Sequence, residues 1–306
     1  MEAEQLHPQA RTVLDRQERF GMVPLHEHGV RRMRWFSKLA AWFRNRSAPS
    51  VARTFDRTVP GPAGDLPVRV YRPYGTGPFP TLVYFHGGGF VSGGLDTHDA
   101  LCRHLTIESG AVVVSVDYRL APEHPFPAAV EDAIAATEWA ADEREFLAGD
   151  GRLVVAGDSA GGTLAAVVAL DAADRADLGV DRQLLVYPGI GIEEDQASVR
   201  DHGGLVLTRE DLEWFRDCYY DSELHLHNPY ADPAEACDLA GVAPATVLTA
   251  GFDPLRDGGV AYAERLESAG VETRHVHYDD MIHGFLTMTD AIDRATDAIA
   301  DVAGDV

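Results

Sequence analysis

The residue best suited to covalent chemistry is Ser159, within the run Gly-Asp-Ser-Ala-Gly-Gly at positions 157–162. A β-branched apolar run at 152–156 precedes it and helix-forming residues at 163–170 follow it, which predicts a sharp strand-to-helix turn at the serine. Flanking glycines permit that turn because they tolerate close backbone approach. The G-x-S-x-G spacing therefore predicts a nucleophile elbow, and its flanking elements disfavour the alternative of an ordinary glycine-rich loop.

A second glycine-rich run, His-Gly-Gly-Gly-Phe at 86–90, directly follows the apolar stretch 81–85. Consecutive glycines leave backbone N–H groups uncovered, and such donors stabilise the negative charge of a tetrahedral acyl-transfer intermediate. The amide of Ala160, just after the nucleophile, is expected to be another donor. A phosphate-binding loop also uses glycines, but this run lacks a following Gly-Lys-Ser/Thr. We interpret it as an oxyanion loop.

Serine catalysis also requires a histidine base that is oriented by a carboxylate. Asp253 follows the predicted strand 245–250 and His283 follows the predicted strand 272–278, at the strand ends where open α/β sheets place their sites. The chain order Ser, Asp, His is the one expected of such a site. Asp257 is the rival carboxylate, but we expect it to begin the next helix, where it offsets the helix dipole. The other histidines considered fit less well, two lying within a strand and two in a polar interval: His275, His277, His225 and His227.

Composition limits the classes of function. The chain has 306 residues and a formal net charge of −23, which argues against a nucleic-acid partner. Three cysteines without metal or redox spacing, no apolar leader and no run long enough to span a bilayer predict a cytoplasmic protein with no stable membrane span. Lys38 is the only lysine among 26 basic residues, and the 49 carboxylates suggest adaptation to high salt, where self-repulsion is screened; a merely acidic protein is the alternative.

The pattern of apolar runs predicts an α/β fold. Two strand-like stretches, 51–59 and 66–71, flank the turn-forming segment 60–65 and are interpreted as an antiparallel hairpin. Continuous apolar runs then alternate with helical segments, as in a mostly parallel sheet covered by helices. The predicted further strands are 81–85, 111–116, 153–156, 183–187, 245–250 and 272–278, and the predicted helices are 127–146, 159–175 and 257–269.

Two regions lie outside this alternation. Residues 1–50 are predicted to hold two helical stretches, of which 28–46 carries six basic side chains and a broad aromatic face. A basic amphipathic helix can lie on an anionic membrane surface, but packing of the aromatic face over a binding site is the favoured interpretation. The second region, about 190–240, is interpreted as an insertion containing a helix at 208–221 with an N-cap at Thr208 and Asp211 three residues on. Trp214, Phe215 and Tyr219 or Tyr220 on that helix could line an acyl pocket, although core packing is the commoner role of aromatic residues at such spacing. Of these, Trp214 is predicted as a pocket residue, together with Phe90 and Phe285.

Five motifs follow one another along the chain: HGGGF at 86–90, DYRLAPE at 117–123, GDSAGG at 157–162, DPLRD at 253–257 and HGF at 283–285. In this order they resemble the hormone-sensitive-lipase-like carboxylesterases of the α/β-hydrolase fold, in the subgroup with aspartate before the nucleophile. The resemblance extends from about residue 65 to the C-terminus and implies an eight-stranded sheet and a two-part cap formed by residues 1–50 and the insertion, with 51–306 as the catalytic domain. It assigns the oxyanion donors to Gly88, Gly89 and Ala160, and gives Asp117, Arg119 and Glu123 structural roles.

We therefore expect a serine carboxylesterase that hydrolyses short-to-medium-chain acyl esters through Ser159, His283 and Asp253, without metal or cofactor. The same groups could cleave amides, and a ligand-binding protein of this fold is a second alternative, which the intact catalytic set disfavours. The family resemblance also suggests a homodimer built through the last strand, although Glu272 and Arg274 could equally protect an exposed edge.

Overall fold

The computed structural model describes residues 5–19 and 24–306 of the chain. Its described residues form one eight-stranded sheet with the strand order β1-β2-β4-β3-β5-β6-β7-β8. The strands are β1 (Arg53–Gly61), β2 (Gly64–Arg72), β3 (Phe79–Phe85), β4 (Val112–Val116), β5 (Gly149–Asp158), β6 (Arg182–Val186), β7 (Ala245–Phe252) and β8 (Thr273–Ile282).

The strand directions confirm the predicted architecture. Strands β1 and β2 form an antiparallel hairpin, and β2 pairs antiparallel with β4, whereas all the remaining neighbours pair parallel. The hairpin turn is tighter than predicted, because Gly61 and Gly64 are already paired with each other. Parallel strands end at the same edge of the sheet, so the loops after β3, β5, β7 and β8 are brought together there.

Helices cover both faces of the sheet. They are α1 (Pro8–Arg19), α2 (Leu25–His28), α3 (Val30–Arg44), α4 (Asp99–Ser109), α5 (Ala128–Asp142), α6 (Arg144–Leu147), α7 (Ala160–Ala173), α8 (Ala197–His202), α9 (Arg209–Tyr219), α10 (Arg256–Ser268) and α11 (Asp293–Ala303). The helices predicted in the catalytic region correspond to α5 with α6, α7 and α10, while α4, α8 and α11 were not predicted. Part of the prediction for residues 1–50 falls on 1–4 and 20–23, outside the described residues.

Two apolar cores lie on opposite faces of the sheet, because successive side chains of a strand point to opposite sides. Along β3, Val83 and Phe85 join the core shared with α5, α7 and α10, whereas Leu82 and Tyr84 join the core shared with α1, α4 and α11. Burial on both faces explains the continuous apolar runs in the sequence.

Helix α3 differs from the favoured sequence interpretation. Its aromatic residues are not packed: Trp35, Trp42 and Phe43 are all more than half exposed. The buried positions are Met33 and Ala41, on the other side of the helix. The periodicity correctly predicted an amphipathic helix, but it could not show which side faces the protein, since the apolar stripe of such a helix has the same spacing whether it meets a core or another partner.

Candidate active site

The nucleophile elbow forms where β5 meets α7. Ser159 lies between the two elements with φ 54° and ψ −122°, a left-handed conformation that is strained for a residue with a side chain. A Cβ atom on Gly161 would lie 1.9 Å from the carbonyl oxygen of Phe85, and one on Gly157 would lie 2.2 Å from that of Gly161. Both glycines are therefore required by close backbone approach, as the sequence pattern predicted.

The loops after β7 and β8 bring a carboxylate and an imidazole to this serine. His283 Nε2 lies 3.1 Å from Ser159 Oγ, and His283 Nδ1 lies 2.7 Å from Asp253 Oδ2. The Asp253 carboxylate is fully buried, and its other oxygen accepts a 2.8 Å hydrogen bond from the amide of Leu255. Ser159, His283 and Asp253 thus form a continuous hydrogen-bonded chain with the geometry of a serine-hydrolase triad.

The residues rejected on sequence grounds lie elsewhere. The Asp257 carboxylate accepts a 2.8 Å hydrogen bond from the amide of Ser198 at the start of α8, so it holds α10 against α8. His275 and His277 lie within β8, and each ring has a nitrogen 2.8 Å from Thr249 Oγ1.

Helix α9 begins at the predicted N-cap, where Thr208 and Asp211 form a reciprocal capping box.

The glycine-rich loop after β3 lies beside the elbow. Gly88 and Gly89 have φ angles of 127° and 61°, and they line the same cavity as Ser159 and Ala160. A Cβ atom on Gly88 would lie 2.2 Å from the carbonyl oxygen of Ser92, so the loop could not take this course with a larger residue. Ala160 is the first residue of α7, and backbone N–H groups in the first turn of a helix have no partner within the helix.

A buried carboxylate joins this loop to the elbow. Asp158 Oδ1 accepts hydrogen bonds from Tyr84 Oη at 2.5 Å and from the amide of Gly87 at 2.9 Å, and it lies 3.2 Å from His98 Nε2. Burial alone would raise the pKa of Asp158, but the attraction of His98 and these hydrogen bonds outweigh it and lower the pKa to about 2. The carboxylate next to the nucleophile is therefore held ionised.

Sequence reasoning did not find the roles of Tyr84 and His98. Both are buried, and they reach Asp158 from β3 and from the turn before α4, respectively. A further buried imidazole, His86, stacks on Tyr118 with a centroid separation of 4.2 Å. Burial lowers the pKa of His86 to about 3, which keeps it neutral beneath the glycine-rich loop.

A mostly apolar cavity of about 810 Å³ opens onto Ser159 and His283. We call α2, α3 and α9 the lining helices, since each supplies side chains to it: Leu25 and His28 from α2, Met33, Phe36, Ser37, Ala40 and Arg44 from α3, and Arg209, Leu212, Glu213, Phe215, Arg216 and Tyr219 from α9. Cavities of this size and character accommodate small organic ligands.

Of the aromatic residues considered for the pocket, Phe90, Phe215, Tyr219 and Tyr220 line the cavity, whereas Trp214 and Phe285 do not. Phe90 lines the cavity and stacks on Tyr219 with a centroid separation of 3.8 Å. Trp214 is not among the lining residues but packs against the core, while the next residue, Phe215, which was also a pocket candidate, lines the cavity. The prediction for Phe285 was wrong: after Gly284, at φ 76°, the chain turns that ring fully into the core beside Tyr187 and Tyr278.

The lining helices are attached through polar contacts. The Arg34 guanidinium donates to the carbonyl oxygens of Val91 and Ala121 at 2.7 and 2.8 Å and to both carboxylate oxygens of Glu123 at 2.9 and 2.7 Å. The Asp211 carboxylate, besides capping α9, accepts a 2.8 Å hydrogen bond from the amide of His26 in α2. Glu123 thus serves a structural role, as the family resemblance implied.

Among residues 5–19 and 24–306, no group of three or more His, Cys, Asp or Glu side chains is placed to hold a metal ion. None of the helices described in those ranges is long and apolar enough to cross a membrane.

This fold and this hydrogen-bonded Ser-His-Asp chain define a serine hydrolase of the α/β-hydrolase class. Residues 82–287 match the family model Abhydrolase_3, described as having the alpha/beta hydrolase fold. The carboxylic ester hydrolase LipN of Mycobacterium tuberculosis is 46% identical over 241 residues, which cover 76% of this chain and 64% of LipN. The esterase LipI of the same organism is 44% identical over 254 residues, covering 80% of this chain and 79% of LipI.

A solved esterase structure is also similar to this chain over nearly its whole length. A hyperthermophilic esterase from Pyrobaculum calidifontis superposes with a TM-score of 0.94 at 40% identity, covering 98% of this chain and 97% of the other. This chain spans less than two thirds of the length of LipN, but nearly all of the archaeal esterase. The chain therefore belongs to the hormone-sensitive-lipase-like carboxylesterase family of the α/β-hydrolase fold.

Proposed function

We propose that this protein hydrolyses short-to-medium-chain acyl esters through an acyl-enzyme intermediate. The observation that carries the proposal is the chain of hydrogen bonds from Ser159 through His283 to the buried Asp253, opening into an apolar cavity. The relatives named as ester hydrolases support the reaction class.

In the proposed first step, Ser159 Oγ attacks the ester carbonyl carbon while His283 Nε2 takes the hydroxyl proton. Asp253 holds the Nδ1–H of His283, which fixes the tautomer and stabilises the imidazolium. The amides of Gly88, Gly89 and Ala160 donate to the oxygen that becomes negative. His283 then returns the proton to the leaving alkoxide, so the C–O bond breaks and an alcohol departs.

In the proposed second step, water attacks the acyl-enzyme and gives its proton to His283. Collapse of the second tetrahedral intermediate releases the carboxylic acid and restores the Ser159 hydroxyl. Each step moves one proton and one acyl group, so no redox partner is involved. The cavity would receive the acyl chain or the alcohol group of the ester, with the lining helices acting as the predicted two-part cap from residues 1–50 and about 190–240.

The test is turnover of p-nitrophenyl esters from acetate to octanoate. We expect Ser159→Ala to lower kcat by at least about a thousandfold, because the nucleophile is lost. Ser50→Ala changes an exposed serine far from the elbow in sequence and should retain full activity. Full activity in Ser159→Ala would contradict the proposal, and faster turnover of matched arylamides than of esters would replace it with an amidase.

We further infer a cytoplasmic, salt-adapted protein, from its free cysteines and its net charge of −23. Stability that is unchanged by molar KCl would contradict salt adaptation.

For the homodimer we propose an edge-to-edge contact through β8, the last strand of the sheet, and sedimentation that shows only a monomer would contradict it.

A further inference from the structure

Helix α3 presents an apolar surface that none of the described residues covers. Five of the nine large apolar side chains that are exposed in the described part of the chain lie on this one helix. Their spacing places them on one side, because residues three, four and seven apart share a helix face. They are Trp35 (59% exposed), Phe36 (46%), Leu39 (39%), Trp42 (58%) and Phe43 (55%), which we call the aromatic face.

Basic side chains accompany the aromatic face. Arg31, Arg32, Lys38 and Arg46 are all exposed, and the Arg46 guanidinium lies 4.9 Å from the centre of the Trp42 ring. No acidic residue occurs between Val30 and Arg44. This absence contrasts with the net charge of −23 for the whole chain, so the local charge of α3 is opposite in sign to that of the protein.

The aromatic face is not needed to hold α3 in place. The other side of the helix buries Met33 and Ala41, and Arg34 makes its hydrogen bonds to Val91, Ala121 and Glu123 from there. The helix end is fixed by Asn45, whose side-chain amide donates to the carbonyl oxygen of Asp96 at 2.8 Å. An anchored helix with an uncovered apolar side is suited to binding a partner.

We propose that the aromatic face is a docking surface for an anionic lipid bilayer. Helices that lie in a membrane interface combine Trp, Phe and Leu on one side with Lys and Arg that attract anionic headgroups, and α3 has this composition. Indole rings in particular favour the boundary between hydrocarbon and water. In a test at about 0.15 M salt, charges are screened over about 8 Å, so the acidic surface elsewhere does not cancel the attraction of α3.

A second copy of the chain fits this surface less well. Symmetric pairing of two α3 helices would bring the four exposed basic residues of one copy close to the same four of the other, which is unfavourable for like charges. Pairing with an acidic face of another copy would not be symmetric, so it would generate an open chain of molecules rather than a closed dimer.

Docking would also place the active-site cavity next to the lipid. Phe36 belongs to the aromatic face and lines the cavity, and Ala40 lines the cavity from the following turn of α3. Hydrophobic esters dissolved in the bilayer would then reach the cavity without crossing water. This consequence, unlike the docking itself, rests on the proposed function.

The test is co-sedimentation of the full chain with vesicles of phosphatidylcholine alone and of phosphatidylcholine mixed with anionic phosphatidylglycerol. We expect binding to the anionic vesicles only, weakened by high salt. Trp35→Ala combined with Trp42→Ala should weaken it at least about tenfold, since interfacial binding scales with the apolar area buried. Arg31→Glu combined with Lys38→Glu should do the same, because it cancels the positive charge of the four exposed basic residues.

Two matched controls separate this surface from general effects. Tyr74→Ala removes an exposed aromatic residue outside α3, and Arg11→Glu with Arg16→Glu makes the same change in net charge on α1. Both should bind like the unaltered protein, and all variants should turn over p-nitrophenyl acetate normally, which reports folding independently of lipid. Equal binding to neutral and anionic vesicles, no binding at all, or a dimer in solution that the tryptophan substitutions dissociate would overturn the proposal.

Discussion

The two sides of the active-site cavity are built by different means. On one side, the loop after β3 and the elbow at Ser159 are fixed by backbone contacts so close that Gly88, Gly157 and Gly161 have no room for a Cβ atom. On the other side, the lining helices present ordinary side chains and are attached by polar contacts through Arg34 and Asp211. The first side, which we call the β-strand side, is specified by the course of the main chain. The second, which we call the helical side, is specified by side chains that can be replaced.

This difference separates chemistry from selectivity. Donors for a developing negative charge must be rigid to be effective, and the amides that we propose as donors lie where the main chain has no room for a Cβ atom on Gly88. An acyl pocket requires only apolar volume of a suitable shape, which side chains on a helix can vary one at a time. We therefore expect substitutions on the β-strand side to change kcat and substitutions on the helical side to change the preferred ester.

The largest effect is expected for Asp253→Asn. The amide preserves shape but cannot hold the imidazolium of His283, and loss of this interaction in a serine triad lowers kcat by roughly ten-thousandfold. Measurement of kcat with p-nitrophenyl butyrate checks this. Asp257→Asn is the matched control, because that carboxylate lies four residues away and binds the amide of Ser198 instead. Comparable losses in both variants would show that the wrong carboxylate has been assigned.

The next effect is expected for Asp158→Asn, which removes the charge that joins the elbow to the glycine-rich loop. Gly87 would be held less firmly beside the proposed oxyanion donors, and we expect kcat to fall by about a hundredfold with little change in KM. Tyr84→Phe removes one neutral hydrogen bond to the same carboxylate and should lower kcat by a smaller factor. A change confined to KM would contradict a positioning role for Asp158.

The same variant has a pH signature. The pKa of Asp158 is about 2 in the folded protein and near its ordinary value of about 4 when unfolded, so the folded state binds fewer protons between these values. Its contribution to stability is therefore complete above about pH 4 and is lost as the pH falls toward 2. Urea unfolding at pH 6 and pH 3 should show a smaller acid-dependent loss in Asp158→Asn than in the unaltered protein.

The sequence predicted the β-strand side well because its constraints are local. A glycine that cannot be replaced, or a catalytic residue at a strand end, can be recognised from the pattern of the few residues around it, as at 86–90 and 157–162. No local sequence pattern identifies the residues that contact Asp158. Tyr84 and His98 lie 74 and 60 positions away from it, and only the folding of the sheet brings them to the carboxylate.

The helical side was predicted less well because a periodic pattern does not state its orientation. The spacing of Trp35, Leu39 and Trp42 is the same for a buried and for an exposed stripe. Only the structure shows that Met33 and Ala41, on the other side of the helix, are the buried residues. On α9 the prediction named the adjacent residues Trp214 and Phe215 alike, and only Phe215 lines the cavity. Adjacent helical residues point about 100° apart, so Trp214 packs against the core while Phe215 faces the cavity.

That one-residue difference provides the smallest and most specific test of the comparison. The Phe215 ring lies so close to the glycine-rich loop that a Cβ atom on Gly89 would meet it at 2.3 Å, so Phe215→Ala should open space next to Ser159. Acetate cannot use this space but longer acyl chains can, and we expect the ratio of kcat/KM for octanoate to that for acetate to rise about tenfold. Trp214→Ala removes a larger ring one position earlier and should leave that ratio unchanged. Equal shifts in both variants would mean that α9 acts through its overall packing rather than through the side chain that faces the cavity.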